Sequence, residues 1–260
     1  MQRILTLAHS MANARVILVD YSRKAQRRVS GEFFGGARHL PRKDVRGGPF
    51  YAYFYGLSQA THNLVLHTDS DMFFGGGSQS WMAEAAELFD AHPEVLVVNP
   101  NCSPPPSSGR IEDYHYEKIE GVRETGNGGI SLISEHITTR VFLVNKQKFF
   151  EKLGPLKVGR QWPHKNPIRN LAWLLRHGWN SVAELPEAMI SQAMKRRGLI
   201  RLDYLGKTPG MWCLHPPDPL FPGYFELLPQ LVNRVEAGDM PEGQRGYYNM
   251  NQSMKAGVPA

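Results

Sequence analysis

Apolar residues recur along this chain in two rhythms. Short continuous runs appear in RVILVDYS (residues 15–22), NLVLHT (63–68), EVLVVNP (94–100) and HITTRVFLVN (136–145). Runs of this length, rich in Val, Ile and Leu, predict strands buried on both faces, the habit of parallel sheets. Between them the apolar positions fall at helical spacing. This predicts helices over 1–13, 49–60, 78–92, 146–154, 166–178, 185–198 and 224–236. Several carry their own punctuation. Pro49, Pro167 and Pro186 stand at helix starts, and Gly178 and Gly198 stand at helix ends. Residues 23–48 are basic and glycine-rich and read as a loop, 101–110 is a Pro/Ser loop, and 111–130 is polar without a clear rhythm. Helix alternating with strand predicts an α/β fold with a mostly parallel sheet flanked by helices. The organisation expected is one domain over 1–223, then a C-terminal helix and flexible tail over 224–260.

The bulk numbers constrain this little. The chain has 260 residues, 42% hydrophobic and 21% charged, enough for a full core without covalent staples. Its two cysteines, Cys102 and Cys213, form no CxxC pair, which argues against a disulfide scaffold or cysteine zinc site and fits a reducing, cytoplasmic compartment. The N-terminal apolar patch, residues 4–8, is too short for a secretory signal, and no run is long enough to span a bilayer. The net charge of +6 would suit a phosphorylated substrate or the inner face of a membrane, with the amphipathic segment 224–235 as a peripheral contact. No helix-turn-helix, RRM or finger signature accompanies the charge, so no nucleic-acid partner is expected.

The chemistry gathers at strand ends. Asp20 ends one expected strand, and Asp69 and Asp71 end another. In an open α/β sheet, ligands bind beyond the carboxyl ends of the strands. Two carboxylates one residue apart repel unless a cation lies between them, and hard oxygens select Mg²⁺ or Mn²⁺. Such an ion would also hold the oxygens of a diphosphate.

With these pieces in order, the sequence resembles the GT-A glycosyltransferases, family 2 above all. RVILVDYS is similar to that family's second strand, which ends in acids near the nucleotide base. GGPFYAYFYGLSQATHNLVLHTDSDM resembles its helix and strand running into the DxD motif. In PEAMISQAMKRRGLIR, Glu187 precedes Gly198 by eleven residues, the spacing of the family's catalytic base. GMWCLHPP resembles a late segment in which some members place a metal-binding histidine, here His215. The resemblance covers about residues 1–220. It implies a GT-A (Rossmann-like) domain lacking the usual first strand. It also implies a nucleotide sugar as donor, bound at Asp20, Asp69 and Asp71, and a metal, Mn²⁺ or Mg²⁺, held by Asp69, Asp71 and His215, with Asp71 foremost. Glu187 would act as base on a hydroxyl acceptor, with inversion. The acceptor could be lipid-linked, a polysaccharide or a small molecule, with Trp162 and Trp212 as candidate sugar platforms. The rival expectations are a degenerate nucleotide- or sugar-binding protein and a nucleotidyltransferase.

His67, two residues before Asp69, reads as a core histidine. Residues 75–77, three glycines, read as a flexible turn rather than a phosphate cradle. The aromatic stripe FYAYFYG reads as helix core. Glu135 and His136 read as surface residues.

Overall fold

The computed structural model describes residues 13–37, 40–116, 119–125, 129–176 and 182–255, with Thr6, Ser10 and Met11 besides. Most of the helix expected over 1–13 therefore lies outside the described residues. The chain divides into two compact units, Met1–Thr61 with Pro155–Leu185, and His62–Gly154 with Pro186–Ala260.

The first unit is helical. Helix α1 (Arg23–Phe34) occupies a stretch expected to be a loop. The Ser22 hydroxyl caps it by accepting the Ala25 N–H, and Gly35 ends it at φ 61, in the left-handed region that favours glycine. Its apolar positions Ala25, Val29 and Phe33 are spaced by four and buried, a stripe diluted by the basic residues around it. Helix α2 (Tyr51–Gln59) packs Phe54 edge-on against Phe34, with ring centroids 4.7 Å apart. The aromatic stripe is core, as expected. RVILVDYS is not a strand. It is irregular chain, with Ile17 at 41% and Leu18 at 80% exposure. β-branched residues favour extended backbone, but a strand also needs a partner for its N–H and C=O groups. Helix α5 (Pro167–Arg176) completes the unit.

The second unit holds a six-stranded sheet in the order β1-β6-β3-β7-β5-β4. The strands are β1 (Leu64–Thr68), β3 (Val95–Pro100), β4 (Gly121–Thr125), β5 (Gly129–Ser134), β6 (Val141–Asn145) and β7 (Ile200–Tyr204). Only β3 and β7 pair in parallel; the other four pairings are antiparallel. The mostly parallel sheet expected from the sequence is thus corrected to a mixed, mostly antiparallel one. Continuous apolar runs report burial on both faces, and β3 is buried at all six positions. They carry no information about strand direction. β1 is an edge strand, partly exposed along its length rather than buried. Only the second half of HITTRVFLVN is a strand; residues 136–140 form a loop.

Helix α3 (Trp81–Ala91) covers one face of the sheet through Trp81, Leu88 and Phe89 against Val98, Leu143 and Leu202. The Trp81 indole N–H donates to the Tyr204 carbonyl at 2.8 Å. Helices α4 (Lys146–Leu153) and α6 (Pro186–Lys195) follow β6 and precede β7. A two-stranded ribbon, β2 (Phe73–Gly75) with β8 (Trp212–Leu214), packs against helix α7 (Tyr224–Glu236). Within the segment expected as a tail, Met240, Met250 and Met254 are buried in the core beneath α7. Tyr224, Leu231 and Val235 of α7 are buried in that core, while Phe225 on the same helix is 69% exposed.

Candidate functional site

The paired acids lie on the turn that leaves β1. The Asp69 N–H donates to the Arg140 carbonyl at 2.6 Å, and the Met72 N–H closes the turn onto the Asp69 carbonyl at 3.3 Å. This ties the turn to the loop entering β6. Asp69 is half-buried, with Oδ1 3.3 Å from His67 Nε2, while Asp71 is exposed. His67 itself stacks on Phe142, centroids 4.9 Å apart, as the β1–β6 register requires.

Glu187 opens α6, and its Oε2 accepts the Thr139 hydroxyl at 3.4 Å. Thr139 precedes Arg140, whose carbonyl holds Asp69. The DSD turn and the Glu187 carboxylate are therefore fastened to adjacent residues of one loop. That loop is anchored from below. The buried Arg201 guanidinium donates to the His136 carbonyl at 2.6 Å, and the Ile137 N–H donates to the Ser191 hydroxyl at 3.0 Å.

His215 follows β8 and is 6% exposed. Its Nδ1 lies 3.1 Å from Asn249 Oδ1, which fixes that nitrogen as the donor and leaves Nε2 as the lone-pair nitrogen. Burial pushes its pKa down and the Arg140 charge adds to this, while Asn249 and the Asp71 charge pull the other way; the net shift is downward. The Asp71 charge also reaches Tyr224, whose phenol is raised first by burial.

Beside Asp71 lies a cavity of about 430 Å³, walled by Phe73, Tyr224, Leu228, Val232 and Val235. No local pattern marks it, because its walls come from segments about 150 residues apart in the chain. The only signal was the matching apolar content of FF at 73–74 and of the 224–236 helix.

Asp20 belongs to the first unit, where Oδ1 accepts the Ser22 N–H at 2.7 Å and opens α1. That backbone hydrogen bond, followed by one from the Ser22 side chain, holds its carboxyl below the usual range. Trp162 is in the first unit too, half exposed. Trp212 is buried with its ring against Gly75, so it presents no face to a sugar. Of the three glycines, Gly76 runs against the Gly210 carbonyl and the Ser78 N–H donates to that same carbonyl. Those backbone groups serve a turn rather than a phosphate.

Among the described residues, no three His, Cys, Asp or Glu side chains converge as a metal-binding group. Two carboxylates on one turn nevertheless suit Mg²⁺ or Mn²⁺, which are commonly held by one or two protein carboxylates together with substrate phosphates. The donor set fits a metal shared with a diphosphate and does not form a cage of its own. In comparison with known proteins, no family model, no curated protein and no solved structure matches this chain.

Proposed function

We propose that the second unit is a GT-A-like glycosyltransferase domain that moves a sugar from a nucleoside-diphosphate donor to a hydroxyl acceptor, with inversion. The observation that carries the reading is the loop whose residues Thr139 and Arg140 hold Glu187 and the DSD turn side by side. Asp69 and Asp71 would hold the divalent metal, which supplies charge neutralisation of the diphosphate as it leaves. His215, kept neutral by burial, is available as a further ligand. Glu187 accepts the proton of the acceptor hydroxyl as its oxygen attacks the anomeric carbon and the bond to the diphosphate breaks. The apolar cavity beside Asp71 favours an acceptor with an apolar body over a bare polysaccharide.

A second reading keeps binding and drops turnover. It is favoured by the open outer edge of β1, where no described strand completes the sheet. One experiment separates the two. Thermal shifts are measured with UDP, GDP, CDP and TDP, each with and without Mn²⁺, on wild type, Asp71→Ala and Glu187→Gln. A ligand at about 100 times its Kd adds about 2.7 kcal/mol. One nucleotide should raise Tm by several degrees, only with metal, and not in Asp71→Ala. Glu187→Gln should keep the shift but lose sugar transfer by about 10²–10⁴-fold. No shift with any nucleotide refutes both readings, and a shift without turnover in the wild type leaves only the second.

A further inference from the structure

Helix α5 in the first unit wears its apolar face on the outside. Ile168, Leu171 and Leu175 are 77%, 60% and 81% exposed, and no residue of the helix is buried. At 3.6 residues per turn, Ile168, Leu171, Ala172, Leu174 and Leu175 form an arc of roughly 160°. The two residues that are partly covered, Asn170 and Trp173, lie on the opposite side. Asn170 ties the helix to the segment before it. Its Oδ1 accepts the His164 N–H at 3.0 Å and its Nδ2 donates to the His164 carbonyl at 2.8 Å. Asn166 caps the helix by accepting the Ile168 N–H at 2.8 Å. The helix thus turns Trp173 and Asn170 away from the surroundings and offers its aliphatic side to them, the reverse of a core helix.

The charge around it is equally one-sided. Residues 155–183 contain Lys157, Arg160, Lys165, Arg169 and Arg176 and not one Asp or Glu, in a chain whose net charge is +6. Arg169 and Arg176 flank one border of the apolar arc. Half-exposed Trp162 stands near the other, where a groove of about 550 Å³ sets Lys165 beside Leu171 and Leu174. An apolar stripe bordered by cations and tryptophan matches one surface in particular, a bilayer whose headgroups are anionic and whose acyl region begins just below them. The helix cannot cross such a bilayer. Ten residues span about 15 Å against a hydrocarbon core of about 30 Å, and no helix among the described residues is long and apolar enough to do so.

We propose that α5 is an interfacial helix that docks the protein on an anionic membrane surface, with Ile168, Leu171 and Leu175 inserted and Arg169 and Arg176 on the headgroups. This is independent of what the second unit catalyses. It places the contact on α5 rather than on the 224–235 segment, whose Tyr224, Leu231 and Val235 are buried in the core of the second unit.

The test sediments the purified full chain with vesicles of phosphatidylcholine alone or with about 30% phosphatidylglycerol, the anionic charge being the variable. Wild type should bind the anionic vesicles and leave the neutral ones. Each cation near the surface is worth roughly fivefold in affinity, so Arg169→Gln/Arg176→Gln should bind roughly 25-fold more weakly. Leu171→Glu/Leu175→Glu should abolish binding while its circular-dichroism melt stays that of wild type, since both sites are exposed. Phe225→Glu, an exposed aromatic on α7, should bind as wild type does. The proposal is overturned if anionic vesicles bring down no protein, or if Leu171→Glu/Leu175→Glu binds undiminished. It is equally overturned if the chain dimerises through this face by light scattering and ignores lipid.

Discussion

The ion pair of Arg201 and Asp203 makes the sharpest prediction. Both side chains are 1% exposed, and Nη2 meets Oδ2 at 2.8 Å. Burial pushes the Asp203 carboxyl above the usual range in spite of the neighbouring guanidinium. At that distance and an effective dielectric of 20, the mutual attraction is about 6 kcal/mol. Desolvation costs several kcal/mol for each ion, so the net contribution of the pair is small. Arg201 Nε also has no hydrogen-bond partner among the described residues, which leaves part of the desolvation uncompensated. Removing one partner is a different matter, because it strands a buried charge. Asp203→Leu and Arg201→Met should each lose about 3–5 kcal/mol. The double variant should be more stable than either single one, short of wild type chiefly by the lost bond to the His136 carbonyl, about 1.5–3 kcal/mol. Urea unfolding of the four proteins closes the cycle, with midpoints compared at equal slopes. Additive losses, with a coupling energy under about 0.5 kcal/mol, would refute the reasoning. A further consequence follows from the loop that Arg201 anchors. The double variant should be more stable than either single one yet show a reduced metal-dependent nucleotide shift, because residues 136–140 keep only the Ile137–Ser191 anchor.

Two further predictions concern the core of the second unit. Glu84 is 4% exposed and accepts hydrogen bonds from the Ser80 and Tyr204 hydroxyls and the Lys207 N–H. Burial raises its pKa, but the three donors outweigh it and the net shift is below the ordinary value of 4.5. Its contribution is therefore present above that value and lost as pH falls below it. Glu84→Gln should cost about 1–3 kcal/mol at pH 7, and the gap to wild type should close in unfolding curves taken below pH 4.5; a gap independent of pH would exclude the carboxylate as its source. At Gly75 an added Cβ would lie 2.2 Å from the Trp212 ring. Gly75→Ala should cost about 1–3 kcal/mol by overpacking, read as a lower urea midpoint, and an unchanged midpoint would show that the ribbon yields.

Periodicity located α3 and α7 within a few residues because each has an apolar stripe and a wall to bury it against. It failed at α1 because the Ala25, Val29 and Phe33 stripe was hidden among arginines, although Ser22 and Gly35 marked both ends. It failed at β4 and β5 because half of their residues are polar and their pairing is with each other and with β7, nearly 70 residues downstream. It failed on direction throughout. β3 and β6 are alike in composition and burial, yet β6 runs antiparallel to β3 and β7 parallel to it. Direction is fixed by connections, and the loop 136–140 that sets it has no rhythm of its own.

The candidate site divides along the same line. Asp69 and Asp71 were legible because a strand running into paired acids is a local pattern, and β1 does end there. Placing Asp20 with them required RVILVDYS to be a strand of the same sheet. That segment is not a strand of the sheet, and Asp20 opens the α1 turn of the first unit. Glu187 went the other way. Its assignment rested on an eleven-residue spacing, yet the structure gives it a physical link to the acids through Thr139 and Arg140, two residues that no local pattern singled out. A site held together by one loop is also sensitive to that loop. Perturbations at His136, Arg201 or Ser191 should therefore weaken metal-dependent nucleotide binding in the thermal-shift assay from beneath, without touching Asp69, Asp71 or Glu187.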